Sequence, residues 1–302
     1  MKLRVKRKGL TIICICILLL AAAIVMHGFH QGKNTHTRSG VVIKNREKIV
    51  QTIRTGLREH SREITIRFHA NRDHMDGIEV MVSELMEAAL EETSRADEGD
   101  YIRYQYGGYE VRYSHSKEDK GYLYRVRIIP RYYTDLAEEQ WVSDEIGRIV
   151  SAMDFSWRST DYDKVSAIYD YVCQNVSYDV VHKNNDGKHR KTTAYAALKY
   201  RTAVCQGYSV LLYRMLREAG IETRVITGIA KVKGNEELHA WNLVCVDGAY
   251  YNVDATLDKA LGSRDYFLRS DAAFSKDHWR DEKFTTDPFC AHYPVAAHDY
   301  NN

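Results

Sequence analysis

The chain has 302 residues, with 43 Lys and Arg against 41 Asp and Glu and a formal net charge of +2. This near balance excludes a strong overall field of either sign, so we expect no nucleic-acid partner. The length allows one large or two modest domains. Only 3 prolines and the absence of repeated or low-complexity tracts in the sequence indicate a chain that is folded beyond its N-terminus.

The N-terminal residues have the pattern of an export signal or a membrane anchor. Residues 1–9 are rich in Lys and Arg, and an uncharged apolar run follows over 10–26. A helix over this run would be about 25 Å long, at the short end for a hydrocarbon core of about 30 Å. Ala21 and Ala23 offer a cleavage site, but the run stays apolar beyond them, which favours an uncleaved anchor.

The resulting prediction is a cytoplasmic basic tail over 1–9, a transmembrane anchor over 10–27 and a linker over 28–44. Because positively charged flanks stay in the cytoplasm, the rest of the chain is expected outside. The protein is therefore predicted to be a single-pass cell-membrane protein that contacts the membrane through its N-terminal helix. Secretion after signal cleavage is the alternative.

Residues 45–158 combine helix-like and strand-like patterns, which predicts a small α+β domain. The predicted elements are a helix over 45–60, a strand over 64–68, a helix over 78–90, two long strands over 101–114 and 122–133, and a helix over 136–153. The long strands are rich in tyrosine. Aromatic residues at strand spacing are typical of sheet packing, and stacking on cell-wall sugars is the alternative.

The cysteine and histidine pattern favours neither a disulfide framework nor a metal site. Two of the six cysteines, Cys14 and Cys16, lie in the apolar run, and the others are Cys173, Cys205, Cys245 and Cys290. If Cys205 stays a thiol, an odd number is left, so we expect reduced structural cysteines. The sequence has no CxxC, HExxH, EF-hand or Walker pattern, and we expect no metal.

A second domain is predicted over 159–302, and Cys205 lies at the start of its clearest apolar helical stripe. It begins with a helix over 163–175, capped by Thr160 or Asp161, and has a short helix over 194–200. At the start of the next, buried helix, free backbone N–H groups and the helix dipole favour a thiolate at Cys205. Gly207 lowers helix propensity there, which indicates close packing or access near the thiol. A lone buried cysteine is more often a small core residue, so the pattern needs partners.

His239 and Asp254 supply those partners on two strand-like runs joined by an Asp-Gly pair, which is typical of a two-residue hairpin turn. The predicted cross-strand pairs are Val246 with Ala249, Trp241 with Asp254, and His239 with Thr256. This register makes His239 a diagonal neighbour of Asp254 on one sheet face, within hydrogen-bonding reach. A one-residue bulge would separate them. A thiol beside an imidazole that a carboxylate orients is the arrangement of nucleophilic catalysis, and a buried polar pair is the alternative.

The chain here resembles the transglutaminase-like superfamily, on three motifs in the expected order within about residues 160–270. The motifs are Cys205 at a helix start, His239-Ala240-Trp241-Asn242, and Asp254-Ala255-Thr256. The resemblance implies a papain-like α+β core with a Cys-bearing helix on an antiparallel sheet that carries His and Asp, no required cofactor, and a thioester acyl-enzyme.

The resemblance also implies that an upstream side chain helps the Cys205 backbone N–H to stabilise the oxyanion, for which Tyr178 is the candidate. The sequence departs from the family pattern over 201–203, where glycine is frequent, and at Ala255, where proline is frequent. Neither departure removes a reacting group. The N-terminal anchor and the region around residues 266–268 are similar to those of bacterial cell-surface members.

The sequence therefore predicts an extracytoplasmic, cysteine-dependent acyl-transfer enzyme or peptidase with a Cys205–His239–Asp254 triad. Its expected partner is an amide of a protein or cell-wall peptide, processed by cross-linking, deamidation or proteolysis. A non-catalytic cell-surface binding module with the same fold is the alternative. A third possibility makes the Tyr-rich domain the active part.

Overall fold

The computed structural model describes residues 14–15, 45–70, 73, 75–180, 189–232 and 234–301, which fall into two compact units. The predicted basic tail over 1–9, the linker over 28–44 and most of the anchor over 10–27 lie outside the described residues. Within the predicted anchor, Cys14–Ile15 form a two-residue strand, β1, rather than part of a helix. Among the residues that are described, no helix is both long and apolar enough to cross a membrane.

The first unit combines helices and strands over residues 45–89 and 107–131, together with β1. Its elements are α1 (Arg46–Arg58), β2 (Ile64–Ala70), α2 (Ile78–Ala89), β3 (Tyr106–Glu118) and β4 (Gly121–Tyr132). The sheet order is β1-β3-β4-β2. Strand β2 alternates buried and exposed side chains, as its sequence pattern predicts, and buries Ile64, Ile66 and Phe68. The buried Arg54 side chain donates to the carbonyls of Ala88 and Ala89, which satisfies backbone acceptors at the end of α2.

The prediction of a strand from residue 101 is wrong over its first five residues, because helix α3 (Asp100–Gln105) occupies them. Tyr101, Ile102 and Gln105 are buried from one face of this helix. Asp100, the first residue of the helix, is held by two hydrogen bonds. Its Oδ2 accepts from the Val225 backbone N–H and from the Arg224 guanidinium, each at 2.8 Å. The helix is therefore fixed by tertiary hydrogen bonds that the local sequence does not reveal.

The second unit comprises residues 90–106 and the described residues from 132 onward. Besides α3 it contains α4 (Leu136–Ala152), α5 (Asp161–Asn175), β5 (Ser177–Tyr178), α6 (Ala194–Lys199), β6 (Thr202–Ala203), α7 (Cys205–Glu218), β7 (Thr223–Val232), β8 (Asn235–Val246), β9 (Ala249–Val253), α8 (Ala255–Leu261), α9 (Asp271–Phe274), β10 (His278–Arg280) and α10 (Asp287–His292). The antiparallel sheet has the order β10-β7-β8-β9, and β5 pairs with β6 in parallel. The unit is thus α+β, as predicted.

Helix α7 is the central helix of the second unit, because every residue over 207–216 is buried. Its apolar side chains pack with those of the neighbouring helices α4 and α5 and of the sheet. The boundary between the units differs from the predicted one at 158/159: Val142 and Ile146 of α4 share a core with Val165 and Ile168 of α5. The sequence pattern locates these helices correctly, but it does not indicate which core each apolar face joins.

Candidate active site

Cys205 is the first residue of α7, as the sequence predicts, and its side chain is half-buried. Val204, at the N-cap, has no polar side chain to take up the first free N–H groups of the helix. The lack of a side chain at Gly207 permits the close packing of this turn. A Cβ atom at Gly207 would lie 2.6 Å from the Lys191 carbonyl oxygen and 2.7 Å from the Ala203 Cβ. The loop before the helix therefore closes against the turn that carries the thiol.

The β8–β9 hairpin has the predicted register, with Val246 paired to Ala249 and the ladder ending at Asn242 with Val253. Asp247 and Gly248 form the turn with φ of 52° and 80°, the left-handed values of a two-residue hairpin. The ladder ends before Trp241 and Asp254, so the predicted pairings of Trp241 with Asp254 and of His239 with Thr256 are both wrong. Asp254 instead caps α8, which turns the chain away from the sheet.

The predicted contact between His239 and Asp254 is present: Nε2 of the ring lies 2.7 Å from Asp254 Oδ2. Both side chains are buried. The other carboxylate oxygen, Oδ1, accepts from the backbone N–H groups of Thr256 and Leu257 at 2.9 and 3.1 Å. Burial raises the pKa of Asp254, but the charge of His239 and its hydrogen bond outweigh burial and lower the pKa below its usual value. The carboxylate is thus ionised and fixed from both oxygens.

The His239 ring interacts with both Cys205 and Asp254. Burial lowers the pKa of His239, but the Asp254 charge and hydrogen bonds with Asp254 and Cys205 outweigh it and raise the pKa to about 10. Because Nε2 contacts Asp254, Nδ1 is the ring nitrogen that this carboxylate does not occupy. Cys205 and Asp254 therefore interact with the same ring, and the raised pKa favours the imidazolium form of His239.

Tyr178 lies beside the same helix start. Its strand β5 pairs with β6, and Tyr178 is the partner of Ala203, two residues before Cys205. Burial, followed by the nearby Cys205, raises the pKa of Tyr178, so the phenol keeps its proton over the physiological range. A protonated phenol beside the thiol is able to donate a hydrogen bond to an oxygen that becomes negative there.

His278 also lies at this site, although no sequence pattern indicates it. Its Nε2 lies 3.3 Å from Asp254 Oδ2, and its Nδ1 lies 2.7 Å from Asp277 Oδ1. It lies on the short strand β10, which pairs with β7. A pairing between strands so far apart in sequence leaves no local signal, and a three-residue strand has too few residues for a periodicity. Its position 24 residues after Asp254 resembles no motif.

The described residues also contain one set of side chains with metal-ligand spacing, because ligand atoms of His239, Asp254 and His278 lie within 4.8 Å of one another. A metal ion would have to replace the protons that join these groups. The 2.7 and 3.3 Å contacts to Asp254 Oδ2 are those of hydrogen bonds between imidazole nitrogens and a carboxylate. The geometry is accounted for by hydrogen bonding.

Comparison with known proteins identifies the part of the chain that carries this site. Residues 151–255 match the family model described as Transglutaminase-like superfamily. The Kyphoscoliosis peptidases of Homo sapiens and Mus musculus are each 31% identical over an alignment of length 144, which covers 41% of this chain and 22% of each relative. The chain therefore spans about a fifth of the length of these relatives.

Two solved structures show weaker similarity. A crystal structure described as a TGase is 20% identical and has a TM-score of 0.36. The matched part covers 48% of this chain and 43% of the chain in that structure. A candidate cysteine protease from Cytophaga hutchinsonii is 18% identical, covers 48% of this chain and 61% of its own, and has a TM-score of 0.29. The bacterial cell-surface membership expected from the sequence stays a prediction.

Proposed function

We propose, from the transglutaminase-like domain that residues 151–255 form, that this protein is a cysteine-dependent acyl-transfer enzyme acting on amide bonds. One observation carries the proposal: Cys205, at the start of a buried helix, interacts with the His239 imidazole and helps to raise its pKa, and Asp254 Oδ2 holds the same ring through Nε2 at 2.7 Å. A core cysteine needs no such partners, whereas a nucleophile does.

In the first half of the reaction, the Cys205 sulfur attacks the carbonyl carbon of the amide and forms a carbon–sulfur bond. His239 holds the thiol proton and donates it to the amine as the carbon–nitrogen bond breaks. The oxygen that becomes negative in between accepts from the Cys205 backbone N–H and, in this proposal, from the Tyr178 phenol. The product of this half is a thioester on Cys205.

In the second half, an amine or water attacks the thioester carbon, His239 takes its proton, and the sulfur leaves with that proton restored. An amine acceptor gives a cross-link, and water gives deamidation or proteolysis. The substrate class we propose is an amide of a protein or of a cell-wall peptide. The peptidase names of the two curated relatives support amide chemistry at this site.

We also propose that the catalytic domain acts outside the cytoplasm, anchored by residues 10–27. The support is the basic residues over 1–9 followed by the apolar run. Cell fractionation tests the proposal: the full chain should sediment with membranes and be cleaved by external protease, and a chain that lacks residues 1–27 should not sediment. Equal solubility of the two chains would contradict the anchor.

The function is tested by alkylation and by one substitution. Iodoacetamide near neutral pH should label Cys205 faster than the exposed Cys290, which serves as an internal control because both occur in the same protein. Cys205→Ala should abolish amide turnover. Full turnover by Cys205→Ala would overturn the proposal, and binding of wall peptides that survives this change without an acyl-enzyme would favour the non-catalytic binding module.

A further inference from the structure

The buried His278 lies between two carboxylates at the edge of the candidate active site. Its Nδ1 lies 2.7 Å from Asp277 Oδ1, and its Nε2 lies 3.3 Å from Asp254 Oδ2. The side chain is 0% exposed. Because ionised carboxylates only accept hydrogen bonds, each ring nitrogen of His278 faces an acceptor. The ring therefore connects Asp254 to a second acidic residue that the proposed reaction does not use.

The second carboxylate is itself oriented. Tyr266 donates its phenol hydrogen to Asp277 Oδ2 at 2.7 Å, while Oδ1 faces His278. The ring of His278 is held by aromatic neighbours, with its centroid 3.9 Å from that of Phe274 and 5.2 Å from that of Trp241. His278 therefore has one packed position, and that position directs Nε2 at Asp254.

Gly228, on β7, allows the strand that carries His278 to lie close to β7. A Cβ atom at Gly228 would lie 2.0 Å from the Trp279 carbonyl oxygen and 2.9 Å from the Arg280 Cα. Gly228 pairs with His239 on one side and with Arg280 on the other. The same glycine thus brings together the strand that carries His239 and the strand that carries His278.

We propose that His278, oriented by Asp277, is a positioning residue that fixes Asp254 and through it the His239 ring. This inference rests on the proposed function, because it assigns His278 a role in the same reaction. Asp254 Oδ2 contacts Nε2 of both His239 and His278, while Oδ1 accepts from the backbone N–H of Thr256 at the start of α8. The carboxylate is thereby fixed in the plane and direction that hold His239 toward the thiol.

Two substitutions separate the nitrogen contact from the aromatic packing. His278→Phe keeps a ring among the aromatic neighbours and removes both nitrogens, whereas His278→Gln places an amide N–H where Nε2 faces Asp254. His298→Phe, at an exposed histidine, is the matched control. The titratable side chains that face the His278 ring are Asp277, Asp254, His239 and Tyr266.

The experiment measures the rate at which iodoacetamide alkylates Cys205 at pH 6 and pH 10 in the full chain, by peptide mapping. A thiolate at pH 6 depends on the His239 imidazolium, and at pH 10 it does not. The ratio of the pH 6 rate to the pH 10 rate should fall about tenfold in His278→Phe and stay within about threefold of wild type in His278→Gln and His298→Phe. Loosening of the fold alone would raise both rates and leave the ratio unchanged.

A wild-type ratio in a folded His278→Phe protein would overturn the inference. If that variant does not fold, Asp277→Ala provides the same test from a partly exposed position, with an expected drop in the ratio of about threefold, and an unchanged ratio there would also overturn it. A wild-type protein whose Cys205 is not alkylated at pH 6 would instead overturn the proposed function, and this inference with it.

Discussion

Asn242 donates its side-chain amide to the backbone carbonyl of Ser209 at 3.0 Å and to that of Arg224 at 3.1 Å. Ser209 lies one turn after Cys205 on α7, and Asn242 lies three residues after His239 on β8. The buried amide therefore joins the helix of the thiol to the strand of the imidazole. The His-Ala-Trp-Asn segment thus carries both the imidazole and the amide that joins its strand to the helix of Cys205.

Replacing Asn242 with Ala should lower both stability and turnover. The change leaves the buried Ser209 carbonyl and the part-buried Arg224 carbonyl without this donor, which costs about 1–3 kcal/mol in the free energy of unfolding. Because α7 is no longer tied to β8, we expect kcat/KM to fall by about tenfold or more. Urea unfolding and amide turnover measure the two effects, and Asn235→Ala, at an exposed position of the same strand, is the control. Loss of stability without loss of turnover would contradict the positioning role.

Gly207→Ala and Gly147→Ala should have opposite effects on stability. The added methyl at Gly207 meets a backbone carbonyl at 2.6 Å, so we expect a loss of about 1–3 kcal/mol. At Gly147, within α4, nothing lies within 4 Å of the new Cβ, and alanine should gain up to about 1 kcal/mol through helix propensity. Urea unfolding measures both. Equal effects at the two positions would contradict the packing described at the Cys205 turn.

The His239–Asp254 pair should make stability depend on pH. The pKa of His239 is raised from 6.5 to about 10 on folding, so its contribution is fully present below pH 6.5 and is lost as the pH rises through about 10. The pKa of Asp254 is lowered, so its contribution is present above pH 3.8 and is lost at lower pH. The unfolding free energy of wild type relative to His239→Gln should therefore be largest between these limits and decline toward pH 10. A pH-independent difference would show that the pair is not ionised.

Tyr178→Phe should slow the chemical step and leave substrate binding largely unchanged. The phenol is proposed to donate only when the carbonyl oxygen becomes negative, so its loss should lower kcat by about 100-fold and change KM little. Steady-state kinetics measure the two constants. Tyr122→Phe, at a half-buried tyrosine of the first unit, should leave both unchanged. A rise in KM of about 100-fold with no change in kcat would show that Tyr178 contacts the substrate in its ground state.

The local parts of the site were predictable because they depend on short sequence patterns. The apolar stripe of α7 locates Cys205, and the Asp-Gly turn fixes the register up to Asn242 and Val253. The contact of His239 with Asp254 was predicted correctly, although the end of the ladder was not. Asp254 is both the last residue before α8 and its cap, and a strand periodicity does not reveal where a helix begins.

The tertiary parts were not predictable from one sequence. His278 reaches Asp254 only because β10 pairs with β7, across a separation that no local periodicity encodes. The sequence predicts a strand at Tyr101 because tyrosines and apolar residues favour strands in isolation, whereas in the folded chain Arg224 holds Asp100 at the start of a helix. In each case a contact between distant segments outweighs the local preference.

A covalent bond between substrate and Cys205 can be detected by mass spectrometry of the intact protein, mixed with glutamine peptides and cell-wall peptides and quenched in acid. We expect a thioester that increases the protein mass by that of the peptide minus that of the leaving amine, that maps to Cys205 and that is absent from Cys205→Ala. Turnover of a peptide with no adduct on Cys205, or with an adduct that persists in Cys205→Ala, would contradict it.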